Sequence, residues 1–143
     1  MSILVCGGAG YIGAHVVRLL RQRGDRVVVV DDLSTSNAAR IGDTPLVRLD
    51  VATDEARSVL SNLMVDEDVT AVIHFSARKQ VGESVARPTW YYQQNIGGMA
   101  NVLAAMEDTG VDQMIFSSSA AVYGIPTAEV VTEDMAGHPI NPY

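Results

Sequence analysis

The chain has 143 residues and a mass of 15.3 kDa, which suits one domain and excludes two large ones, since a domain takes roughly 100 to 200 residues. With 48% hydrophobic and 19% charged residues it has the composition of a folded globule, not of a disordered segment. Ten basic against seventeen acidic side chains leave a formal charge of −7, the wrong sign for a duplex nucleic acid partner.

Short β-branched runs alternate with segments of helical period, the pattern of a parallel sheet built from βαβ units. Ile3 to Cys6 is an apolar run closed by Gly7 and Gly8, as for a strand buried on both faces. A helix is predicted from Tyr11 to Arg23, with Ile12, Val16, Leu19 and Leu20 as its apolar stripe and Gly24 as its left-handed stop. Val27 to Val30 is the second strand, followed by Asp31, Asp32 and a polar loop from Ser34 to Asn37. Leu46 to Leu49 is a weaker third. Thr53 or Asp54 is expected to cap a helix striped by Ala56, Val59, Leu60 and Leu63.

Ala71 to Phe75 is the fourth strand and Met114 to Phe116 the centre of a fifth. Between them are predicted a loop, 76 to 88, and a helix from about Thr89 to Thr109 stopped by Gly110. Gly97 and Gly98 inside that helix each cost about 1 kcal/mol against alanine, which predicts close packing there and not a hinge. After Ser117 the pattern dissolves into turn residues, and long irregular segments of this kind are usually functional or disordered. The fold class expected from this alternation is α/β, with a parallel sheet.

A single cysteine, Cys6, excludes an internal disulfide and points to a buried thiol in a reducing compartment. His15, His74 and His138 stand far apart without ligand-spaced partners, so no metal site is expected. No leader and no apolar run long enough for a bilayer is evident, so the expected setting is the cytoplasm, with no membrane partner.

The sharpest chemical signal is Gly7-Gly8-Ala9-Gly10-Tyr11-Ile12-Gly13, lying between a predicted strand and a predicted helix. Small residues there let the backbone approach a pyrophosphate, whose charge sits against free amides at the helix N-terminus. Asp31 ends the second strand eighteen residues after Gly13, where a dinucleotide fold puts the acceptor for the adenosine ribose diol. Asp31 and Asp32 would repel a 2′-phosphate, and no Arg or Lys follows before Arg40, so NAD is favoured over NADP.

The glycine spacing, together with Val72-Ile73-His74-Phe75-Ser76-Ala77-Arg78-Lys79, Val81-Gly82-Glu83-Ser84, Pro88, Tyr91-Tyr92, Asn95, Gly98 and the run Phe116 to Gly124, resembles the UDP-glucose 4-epimerase family of extended short-chain dehydrogenase/reductases. The similarity runs from residue 2 to residue 143. It implies epimerisation at C4 of a UDP-hexose through a 4-keto intermediate, with NAD taking and returning the hydride. By the same resemblance Gly7, Gly10, Tyr11, Ile12 and Gly13 would hold the pyrophosphate, and Asp31, Asp32, Leu33, Ser34, Thr35 and Ser36 the adenosine ribose. Asp50 and Val51 would flank the adenine. Phe75, Ser76, Ala77, Lys79, Asn95 and Ser117 would line the rest of the groove, and Ser119 and Tyr143 would be the catalytic serine and tyrosine.

Cys6 stands where that family usually has threonine, Ser76-Ala77 replaces Ala-Gly, and Gly97 replaces a frequent Asn. The family's tyrosine belongs to Tyr-x-x-x-Lys, whose lysine would fall four positions beyond Tyr143. A free tyrosine has a pKa near 10 and needs a nearby cation to act as a base near neutrality, and residues 88 to 143 contain no Lys or Arg. By this resemblance residues 1 to 143 are expected to form an incomplete NAD-binding Rossmann domain, an α/β, Rossmann-type doubly wound parallel sheet truncated to about five strands in the order 3-2-1-4-5, that binds NAD without turnover. Its uncovered sheet face is expected to be apolar, and the family's long helix implies a homodimer. Two other readings fit the residues: another nucleotide-sugar epimerase of the same superfamily, or a stand-alone, non-catalytic NAD-binding module. A 4,6-dehydratase fits less well, because its Asp-Glu pair would fall at Ala120-Ala121.

Overall fold

The computed structural model describes residues 1–143. Five parallel strands, β1 (Ser2–Cys6), β2 (Val27–Asp31), β3 (Leu46–Arg48), β4 (Val69–His74) and β5 (Gln113–Phe116), form one sheet in the order β3-β2-β1-β4-β5. The chain starts at the centre, steps outward to β3, then returns across β1 to β4. That reversal opens a crevice at the C-terminal ends of the strands, the place where open α/β sheets bind ligands. Register is set by the apolar runs: Leu4 pairs with Val28 and Val72, and Val5 with Val29 and Ile73.

Parallel strands in register put alternate residues on alternate faces, so the sheet has two cores. Leu4, Cys6, Val28, Val30 and Val72 pack on α2 (Ala56–Asp66) and α5 (Gly98–Thr109), through Leu60, Met64, Val102 and Met106. Val5, Val27, Val29 and Ile73 face the other way, toward α1 (Tyr11–Arg23). The α1 bounds and its stop are those expected, with Gly24 left-handed at φ 92.

The face of α1 is the expected one only in part, since Val16 and Leu20 pack half-buried on the core but Ile12 and Leu19 do not. Gly13, Ala14 and Val17 are buried, whereas Ile12 and Leu19 are 57% and 59% exposed. Small residues win the inner face because the helix must lie close on the glycine turn. A Cβ on Gly13 would sit 2.3 Å from the Gly7 carbonyl oxygen. On the same sheet face Ile115, in register with Ile73, is 64% exposed.

Three local expectations are corrected. Neither Thr53 nor Asp54 caps α2: Glu55 precedes it with no side-chain bond, and Thr53 Oγ1 instead donates to the Asp50 carbonyl in the turn after β3. The stretch 76 to 88 contains α3 (Val81–Ala86), whose approach is pinned by the buried Tyr91 hydroxyl, which accepts from the Gln80 amide and donates to Glu83. The long helix is as expected in extent, unbroken from Pro88 to Thr109 and stopped by Gly110, and runs as α4 (Pro88–Tyr92), a π-helical turn (Gln93–Gly97) and α5. Gly98 fits the close-packing expectation, since a Cβ there would lie 3.0 Å from Val51 Cγ2. Gly97 does not, since a Cβ there meets nothing within 4 Å. No helix is long and apolar enough to cross a membrane.

Candidate dinucleotide site

The crevice at the strand ends is lined by six groups of residues. The turn after β1 contributes Gly7, Gly10, Tyr11, Ile12 and Gly13, and the end of β2 contributes Asp31, Asp32, Ser34, Thr35 and Ser36. Asp50 and Val51 come from beyond β3, and Phe75, Ser76, Ala77 and Lys79 from beyond β4. Asn95 reaches in from the π-helical turn, and Ser117 and Tyr143 lie at the far end. Two predicted residues are absent from this lining. Leu33 packs instead against the α1-side core, at φ 59. Ser119 caps a short 3-10 turn, Ala120–Tyr123, its Oγ accepting from the Ala121 amide at 3.1 Å.

The glycine turn is shaped by backbone proximity. Gly7 is left-handed at φ 75, and a Cβ on it would lie 2.8 Å from the Ser76 nitrogen. Gly10 precedes α1 without any side-chain cap, so the first-turn amides keep their donor capacity toward the groove. An anionic group suits this place, because the free donors and the helix dipole have the same sign.

Asp31 is 6% exposed and heavily bonded. Its Oδ2 accepts from the Ala9 amide at 3.0 Å, and its Oδ1 accepts from the Leu33 amide at 2.9 Å and from Ser36 Oγ at 2.6 Å. One carboxylate therefore ties the glycine turn to the loop after β2. Burial would raise the Asp32 carboxyl, but hydrogen bonds from the Ser34 amide and hydroxyl and from the Arg78 guanidinium outweigh it and hold it below its usual range.

The model of the NAD dependent epimerase/dehydratase family matches residues 3–143. The chain belongs to this family. The UDP-glucose 4-epimerase of Lactobacillus helveticus is 44% identical over 143 residues, covering 100% of this chain and 43% of the relative; that of Bacillus subtilis is 42% identical over 148 residues, covering 100% and 44%. The crystal structure of UDP-glucose 4-epimerase from Brucella ovis in complex with NAD matches at a TM-score of 0.93 and 41% identity, over 99% of this chain and 43% of that one. That of the Bifidobacterium longum enzyme in complex with NAD+ and UDP matches at 0.91 and 33%, over 100% and 44%. The chain thus spans less than half the length of these epimerase relatives.

In this epimerase/dehydratase chain, sequence reasoning missed four lining residues, Leu49, Arg78, Gln94 and Ser118. Gln94 and Arg78 meet across the groove, Arg78 Nε donating to Gln94 Oε1 at 2.9 Å. Arg78 adjoins Lys79 in the stretch that carried the resemblance, but nothing local says where its long side chain goes. Cys6 is buried as expected: desolvation, with the Asp31 charge second, pushes its thiol up to about 12, which removes it as a nucleophile.

His74 is also buried, stacked on Phe116, and its Nδ1 has no partner. Burial lowers its pKa, and a hydrogen bond with the Ser76 backbone opposes this without cancelling it. Because the unfolded chain takes up this proton at a higher pH than the folded one, the His74 contribution is complete above the unfolded value of about 6.5 and is lost as pH falls toward the lowered folded value. The melting temperature should therefore fall as pH drops below about 6.5, while the imidazole NMR signal stays that of the neutral ring to a lower pH than an ordinary histidine allows. An imidazole titrating at its ordinary value would show that His74 is solvated.

Proposed function

We propose that the crevice binds NAD and that residues 1 to 143 form the cofactor-binding Rossmann domain of an enzyme interconverting the C4 epimers of a UDP-hexose. The observation that carries this reading is one crevice lined together by the glycine turn, Asp31, Ser117 and Tyr143. The residues fit a dinucleotide. The glycine cradle leaves no room for side chains where a pyrophosphate would lie, and the Asp31 carboxylate faces the groove where a ribose diol would donate. When bound, NAD would accept and return a hydride at the sugar C4.

The chain's own residues do the rest. First-turn amides of α1 meet the pyrophosphate, Asp50 and Val51 flank the adenine, and Lys79 and Asn95 line the central stretch. Tyr143, which lines the groove, would be the base for the sugar hydroxyl, and Ser119, which caps the 3-10 turn Ala120–Tyr123, the serine that relays or positions the proton. Crystals of epimerase relatives with NAD, and with NAD+ and UDP, support the ligand assignment. An exposed apolar row on the long helix, Tyr92, Ile96 and Leu103, supports a homodimer, and the buried thiol of Cys6 fits a cytoplasmic setting.

Calorimetric titration of the chain with NAD, and NMR of UDP-glucose and UDP-galactose incubated with the whole protein that carries it, test the reading. Saturable NAD binding and exchange of C4 configuration are expected. Tyr143→Phe should lower turnover by about 10²-fold or more while leaving NAD binding intact, the usual weight of an acid–base group. An absence of both NAD binding and C4 exchange would overturn it.

A further inference from the structure

Arg78 leaves the C-terminal end of β4 and reaches across the crevice. Its backbone is clamped by one side chain: its amide donates to Asn95 Oδ1 at 2.8 Å and its carbonyl accepts from Asn95 Nδ2 at 3.0 Å. The guanidinium donates to Asp32 Oδ2 at 2.6 Å, to Ser34 Oγ and to Gln94 Oε1, and lies 3.8 Å from Asp50 Oδ2. Its carbon is 5.4 Å from the centre of the Trp90 ring, and the side chain is 19% exposed. One planar cation therefore serves the ends of β2 and β3 and the π-helical turn at once, which only a guanidinium's fixed fork of donors can do.

Asp32 and Ser34 bracket the loop that follows Asp31, so this cation stands at the ribose edge of the groove. A guanidinium is also the side chain best suited to a phosphate monoester. Here one N–H of each outward nitrogen is committed, to Asp32 and to Ser34, and the Asp32 carboxylate neutralises the cation and repels an anion beside it. We propose that Arg78 is a selectivity residue at the ribose edge: paired with Asp32 it excludes a 2′-phosphate, and released from Asp32 it becomes the ligand for one. The proposal rests on the NAD reading above and adds to it a residue 46 positions from its partner.

The experiment compares NAD and NADP by calorimetric titration of the parent chain, Asp32→Asn and the double variant Asp32→Asn with Arg78→Met. Asp32→Asn should raise the NADP-to-NAD affinity ratio by about tenfold, the weight of a hydrogen-bonded charge pair made available, and the gain should shrink with salt. Arg78→Met should cancel the gain. Circular dichroism confirms folding, and Asp32→Ser replaces Asp32→Asn if the latter does not fold. An unchanged ratio in the single variant, or a gain that survives in the double variant, overturns the role of Arg78 while leaving the NAD reading in place. A parent chain that binds neither dinucleotide overturns the NAD reading and this inference together.

Discussion

Gly13→Ala should destabilise the chain by about 3 kcal/mol, the upper range for forcing a methyl group into a packed interior, and abolish measurable NAD binding. The added Cβ would sit 2.3 Å from the Gly7 oxygen and 2.8 Å from the Gly8 Cα, both backbone atoms that cannot rotate away. To relieve this, α1 must lift from the turn, which separates its first-turn amides from the groove and loosens Ala14 and Val17 from the sheet. Gly82→Ala is the control, because a Cβ there meets nothing within 4 Å. Urea unfolding and NAD titration of both variants measure the two effects. A Gly13→Ala chain as stable and as competent as Gly82→Ala would show that the turn does not need its glycine.

The second large effect is expected from Asp31→Ala. Removing this carboxylate leaves the Ala9 amide, the Leu33 amide and Ser36 Oγ without their acceptor in a buried place. An unsatisfied buried donor costs about 1 to 3 kcal/mol, and the loop donors can in part turn to water, so the net loss should be about 3 kcal/mol. Leu33 adds to this, because its left-handed backbone at φ 59 is disfavoured for a branched side chain and its amide is held by Asp31. NAD affinity should fall at least about tenfold through the lost ribose acceptor, and the preference over NADP should shrink, with the part set by the Asp32–Arg78 pair retained. Ser36→Ala, which removes one donor and keeps the carboxylate, should preserve the preference. Titration curves for NAD and NADP that stay as far apart in Asp31→Ala as in the parent would remove Asp31 from cofactor selection.

Much of the fold was legible because its signals are local. Continuous apolar runs placed all five strands, and Gly24 and Gly110 marked the helix stops, each left-handed as their positions demand. The glycine turn and Asp31 were legible for the same reason: backbone approach and a strand-end carboxylate are properties of short stretches. The α1 face was read only in part, Val16 and Leu20 but not Ile12 and Leu19, because periodicity counts hydrophobic residues, whereas the helix approaches the turn through Gly13 and Ala14. Ser119 shows another limit, since a hydroxyl that caps a turn and one that meets a substrate have the same sequence.

The sequence by itself determined the parallel strands, the glycine cradle and the acidic end of β2, because each follows from side-chain size, branching or charge within a few neighbouring residues, while the strand order came only through the family resemblance and is a property of the assembled sheet. Tertiary structure alone decided the reach of Arg78 to Asp32 and Ser34, the burial of His74 against Phe116, and the contact of Gly98 with Val51. The reason is geometric. Parallel strands bring the ends of β2, β3 and β4 side by side although dozens of residues separate them, and a long cationic side chain takes its partners from whatever the sheet sets beside it.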